Sequence, residues 1–172
     1  MPLQPEQSGI ESSKILIVDD TEANVMFLTM TLNASGFHNL VIASNGLEAV
    51  HLCAKERPDL ILLDLHMPQM NGFQTLEALK PYRQDLVPVL VFTADVSQEA
   101  RRQALDLGAN DFLTKPGDIL EIGIRVRNFL QMRRLHVLTM NQRDNLEARV
   151  EERTKELHEA HVEVLFRLAM AC

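Results

Sequence analysis

The chain has 172 residues, of which 46% are hydrophobic and 24% charged, with a formal net charge of -7. This is an ordinary globular mix, long enough for one domain and an appendage. The acidic balance excludes general attraction to a nucleic-acid backbone, because the densest basic cluster (Arg125, Arg127, Arg133 and Arg134) is followed by an acidic stretch.

Residues 1–13 have neither a basic start nor an apolar run and read as a flexible leader rather than a signal peptide. A first strand is expected at Ile15–Val18 and a first helix at 22–35, then a strand at Leu40–Ala43 and a helix at 47–55. Leu60–Leu63 and a helix at 73–79 follow, then a strand at 87–92, a helix at 98–107, a short strand at 111–113 and a helix from Ile119 onward. Strands that are apolar throughout need cover on both faces, which in a β-α series means a parallel sheet. The expected fold is therefore α/β, a flavodoxin-like doubly wound five-stranded parallel sheet over residues 14–134. Asp20, Asn45 and Ser97 suit helix N-caps. Gly36 and Gly108 suit helix ends, where positive φ is wanted. The apolar runs are too short to span a bilayer. Cys53 and Cys172 imply no disulfide framework. Together these point to a cytoplasmic protein with no membrane partner.

Residues 135–172 contain no Gly or Pro and are rich in Glu, Arg, Leu and Ala, so they read as a long C-terminal α-helix that ends without a stop signal. Met132, Leu135 and Thr139, then Leu146, Val150, Leu157, Ala160, Val164 and Ala171, fall near a and d positions, joined by the stutter from Leu135 to Leu146. Arg153 and Arg167 at d positions weaken the seam. A lone helix of this length leaves its apolar stripe wet, which favours a dimeric coiled coil with Leu146, Val150, Leu157 and Val164 on its seam. His158 and His161 stand one turn apart and read as surface residues.

Chemistry is expected at the carboxyl ends of the strands, near the point where strand order reverses. Asp19 and Asp20 follow the first strand, Asp64 the third, Thr93 the fourth and Lys115 the fifth. Singly, each has an ordinary reading: a helix cap, a loop residue or a solvated lysine. Jointly, they place three carboxylates, a hydroxyl and an amine on one rim. Clustered carboxylates need a cation, and an all-oxygen set suits Mg²⁺.

Asp19-Asp20, the run from Asp64 through Met67-Pro68 to Gly72, Thr93-Ala94 and Lys115-Pro116 together resemble the signature of response-regulator receiver domains of two-component signalling, over residues 14–134. The resemblance implies that Asp64 takes a phosphoryl group from a histidine kinase or phosphotransfer protein. It implies Mg²⁺ held by Asp19, Asp20, Asp64 and the main-chain carbonyl of His66. Lys115 and Thr93 would contact phosphoryl oxygens, and Lys115-Pro116 would be cis. Thr93 and Phe112 would form the switch pair, with Phe in place of the commoner Tyr. Gly117 departs from the family pattern, where Phe is common, and is expected to loosen the last loop.

The helix from Ile124 through Leu157 to Leu165-Phe-Arg-Leu-Ala resembles the connector to HD-GYP domains, which hydrolyse cyclic di-GMP. Their catalytic motifs are absent from these residues. Connectors to GGDEF or histidine-kinase modules are the alternative. The fragment itself is then a regulator rather than an enzyme. A phosphatase with an aspartate nucleophile is disfavoured, since His66 stands where its acid/base Asp belongs and there is no cap domain.

Overall fold

The computed structural model describes residues 9–82 and 87–170, with backbone only at 159, 160 and 162–170. The elements are β1 (Ile15–Val18), α1 (Glu22–Ala34), β2 (Leu40–Ala43), α2 (Gly46–Glu56), β3 (Leu60–Leu63) and α3 (Gly72–Leu79). After a short 3₁₀ turn come β4 (Val89–Thr93), α4 (Gln98–Asp106), β5 (Asp111–Thr114) and α5 (Ile119–Met170). Contacts divide the chain into two units, Met1–Arg134 and Leu135–Cys172.

In the first unit all strands pair in parallel, in the order β2-β1-β3-β4-β5. The expected doubly wound sheet is thus present. The order reverses at β1, which lies between β2 and β3. Alternation along each strand divides the core in two. Leu16, Val18, Ile61, Leu63, Val89 and Val91 bury against one layer of helices. Ile15, Ile17, Leu60, Leu62, Leu90 and Phe92 bury against α1 and the first turns of α5. Both faces of β1 and β3 are buried, which is why these central strands are apolar at every position.

The helix boundaries follow local hydrogen bonding. Asn45 and Ser97 accept from the backbone N–H of Glu48 and Ala100, as caps should. Asp20 does not cap α1; the N-cap is Thr21, without a side-chain bond. The carboxylate that serves this turn belongs to Asp19, which accepts from the Thr21 N–H at 2.9 Å. Gly36 and Gly108 take φ of 92° and 100°, the left-handed region in which a Cβ is costly. β4 starts at Val89, later than expected, because Pro88 has no N–H for the ladder. It runs on to include Thr93.

Part of the expected leader is packed. Residues 9–12 form turns and Ile10 is 1% exposed within the α1/α5 core; residues 1–8 lie outside the described residues. Among the described residues, no helix is long and apolar enough to cross a membrane.

In the second unit the helix is continuous to Met170. Leu146, Val150 and Leu157 are all exposed. Arg143 pairs with Glu147 at 2.9 Å and Arg153 with Glu156 at 3.6 Å. The side chain of Val164 lies outside the described residues, as does Cys172.

Candidate phosphoacceptor site

The register of the sheet assembles the site. Val18 pairs with Leu63, so Asp19 and Asp64 emerge side by side at the switch point. The Asp64 N–H donates to the Val18 carbonyl at 2.9 Å, and the Lys115 N–H to the Thr93 carbonyl at 2.8 Å. Asp19, Asp20 and Asp64 each offer a carboxylate oxygen, all within 4.8 Å of one another. Among the described residues this is the group of potential metal ligands that the fold brings together. Asp19 and Asp64 are buried and Asp20 is exposed. The donors are all hard oxygens, on a rim with access to solvent through Asp20. They fit a Mg²⁺ that keeps several waters.

The Lys115 ammonium lies among these carboxylates. It is 2.6 Å from Asp19 Oδ2 and 3.0 Å from Asp64 Oδ2. Asp19 Oδ1 accepts from the Thr21 N–H and, at 3.0 Å, from the Asn24 amide. Asp64 Oδ1 accepts from the Leu65 N–H at 2.8 Å. Each buried carboxylate therefore has one oxygen held by neutral donors and the other facing Lys115. Buried charges persist only when paired and hydrogen-bonded in this way. The Lys115-Pro116 bond is cis, as the resemblance implied.

Thr93 is fully buried. Its hydroxyl lies 3.4 Å from His66 Nδ1 and accepts a long bond from the Asp95 N–H. His66 Nε2 in turn lies 3.9 Å from Asp95 Oδ2. The His66 side chain thus reaches the Thr93 hydroxyl. The Asp95 carboxyl is held below the usual carboxylate range, chiefly by the Ser97 N–H and hydroxyl, with a smaller contribution from His66. Phe112 is buried beside α4 with the Arg101 guanidinium over its ring, 5.9 Å from the centroid. The loop after Asp64 is tied back by the Gly72 N–H, which donates to the Leu65 carbonyl at 2.9 Å. Asn71 and Gln74 close a capping box there.

Sequence reasoning missed Asn24, the His66–Asp95 pair and that capping box. Asn71 followed by Gln74 was a readable signal. The other two depend on side chains that meet only across the folded rim.

Residues 15–127 match the family model of the response regulator receiver domain. The chain belongs to this family. Its receiver resembles that of a Francisella response regulator, with a TM-score of 0.65 and 30% identity over 70% of this chain and 98% of that one. The receiver of the Pseudomonas aeruginosa sensor kinase PA1611, solved with magnesium in its cleft, gives a TM-score of 0.63 and 26% identity over 69% of this chain and 98% of that one. Caulobacter vibrioides response regulator PleD is 40% identical over 124 residues, 71% of this chain and 27% of that protein. A Vibrio cholerae protein named "Probable cyclic di-GMP phosphodiesterase" is 34% identical over 157 residues, 90% of this chain and 35% of that protein. The chain therefore spans about a third or less of these two relatives. It carries the receiver of a two-component system.

Proposed function

We propose that Asp64 is the phosphoacceptor of a signalling switch, charged by a histidine kinase or phosphotransfer protein. The observation that carries this reading is the placement of Lys115 against both Asp64 and Asp19 at the mouth of the acidic cluster. An Asp64 carboxylate oxygen attacks phosphorus in line. The P–N bond of the donor phosphohistidine breaks, and its electron pair stays on the imidazole. Such a loose transfer needs positioning and charge neutralisation more than further covalent help. Asp19, Asp20, Asp64 and the His66 carbonyl would hold Mg²⁺, which supplies positive charge against the phosphoryl oxygens when bound. Lys115 moves its contact from the Asp64 carboxylate to a phosphoryl oxygen. Thr93 gives up its long bond to His66 and donates to another oxygen. Burial of Thr93 leaves that hydroxyl little other freedom, so the change reaches Phe112 and the face formed by α4, β5 and the first turns of α5.

The second unit passes the change on as a homodimer through Leu146, Val150 and Leu157. The effector beyond it is a cyclic di-GMP phosphodiesterase of the HD-GYP type. The support is the reach of the Vibrio cholerae match: at 157 residues it is longer than Met1–Arg134 and so extends into the helix. The PleD match, over 124 residues, needs the receiver alone.

The test is intact mass after incubation with acetyl phosphate, with and without Mg²⁺, on wild type and Asp64→Asn. One phosphoryl adduct on wild type only, dependent on Mg²⁺, is expected. An equal adduct on Asp64→Asn, or none on wild type, overturns the reading. For the effector, hydrolysis of cyclic di-GMP by the full-length protein decides.

A further inference from the structure

Lys115 is held by a ring as well as by carboxylates. Its Nζ lies 5.4 Å from the centroid of Phe92, within cation–π range. Phe92 immediately precedes Thr93, and strand alternation turns it to the α1/α5 side of the sheet. It is 2% exposed. The ring is braced by Phe27 of α1, stacked at 6.3 Å between centroids with 15° between planes.

Gly117 admits this arrangement. A Cβ at 117 would stand 2.8 Å from Cε2 and 3.3 Å from Cζ of Phe92, and 2.7 Å from Cδ1 of Ile122. Any side chain there would displace the ring or Ile122. The glycine therefore marks close packing beneath the catalytic rim rather than the loosened loop expected from its departure from the family pattern.

The Lys115 side chain is 13% exposed. A poorly hydrated ammonium gains more from a ring face than a solvated one does. The ring also differs from the two carboxylates in one respect. Phosphorylation changes the charge and position of what Asp64 presents, whereas the face of Phe92 stays the same.

We infer that Phe92, admitted by Gly117 and braced by Phe27, is a positioning residue for phosphoryl transfer, its ring face holding the Lys115 ammonium over the acceptor. The inference rests on Asp64 being that acceptor. A mere core-filling role would need only the ring's volume; this role needs its negative face.

The two are separated by replacing Phe92 in the full chain with 4-fluoro-, 3,5-difluoro- and 3,4,5-trifluorophenylalanine. These keep the shape and progressively drain the face. The initial rate of phosphorylation by acetyl phosphate with Mg²⁺ should fall stepwise, to about a tenth for the trifluoro ring. A second readout needs no phosphate donor. The ε-methylene resonances of Lys115 should be shifted by the ring in wild type and return toward solvated-lysine values in Phe92→Leu. A flat rate series, or an unshifted methylene in wild type, overturns the inference. If wild type takes no phosphoryl group, the acceptor reading falls, and the methylene shift alone decides whether the ring holds Lys115.

Discussion

Gly72 lies against the main chain of Asp64 so closely that a Cβ there would stand 2.4 Å from the Asp64 carbonyl oxygen and 2.6 Å from Leu65 Cα. Both obstacles are backbone at the end of β3, so neither can swing aside. Gly72→Ala should therefore cost about 1–3 kcal/mol, the usual range for overpacking. Urea denaturation of the variant beside wild type measures it, and the same shift should slow phosphorylation by moving Asp64.

Lys115→Met keeps much of the volume and removes the charge. Asp19 and Asp64 then face each other without their shared ammonium. Loss of a preorganised charge of this kind slows transfer by about a hundredfold. The time course of the acetyl-phosphate adduct by mass reads this. Mg²⁺ should bind the variant more tightly, since no fixed cation competes with it, and a titration by calorimetry checks the sign.

Thr93→Ala should still accept the phosphoryl group at Asp64 but lose the structural response. Thr93 is buried between the acceptor rim and the strand that leads to Phe112. Sedimentation of phosphorylated and unphosphorylated chain should differ for wild type and coincide for the variant. A full response in Thr93→Ala would dismiss the Thr93–Phe112 coupling.

Asp95 gives the pH prediction. Its folded-state pKa is depressed, mainly by the Ser97 N–H at 2.9 Å. The stabilisation is fully present above the unfolded aspartate pKa of about 3.9 and is lost as pH falls through the lower folded value. Asp95→Asn should remove that part of the acid dependence. The effect should be small and screened by salt, since the pair with His66 is solvent-accessible. Chemical denaturation between pH 5 and roughly pH 3 tests it.

Leu146→Asp with Val150→Asp places charges on an exposed apolar stripe of α5. A monomeric helix would tolerate both. A coiled coil would not, because a charge buried at a seam costs several kcal/mol without a partner. Analytical ultracentrifugation should show the variant as monomer where wild type dimerises.

The strands, their parallel arrangement and the five rim residues were legible in the chain itself, because uninterrupted apolar runs and their punctuation depend on local patterning. Ile15–Val18, Leu40–Ala43 and Leu60–Leu63 end where the pattern ends. The start of β4 was not legible from apolarity alone, since Val87 is apolar yet precedes a proline that accepts from the Ile61 N–H at 3.0 Å but has no N–H of its own to donate to the ladder. The N-cap of α1 is Thr21 and not Asp20, and the carboxylate that accepts from the Thr21 N–H is Asp19; adjacent carboxylates look alike in a sequence. Their roles separate only once Asp19 points inward and Asp20 outward.

Which side chains can stand at the ends of the strands follows from local order alone, through strand period and the switch-point rule. Which of them touch is a matter of long-range packing: Lys115 with Asp19 and Asp64, His66 with Thr93, Phe92 beneath Lys115. Those contacts join residues that lie far apart along the chain. Parallel strands and their crossover helices must all be in register before such distances close, and no local pattern carries that information.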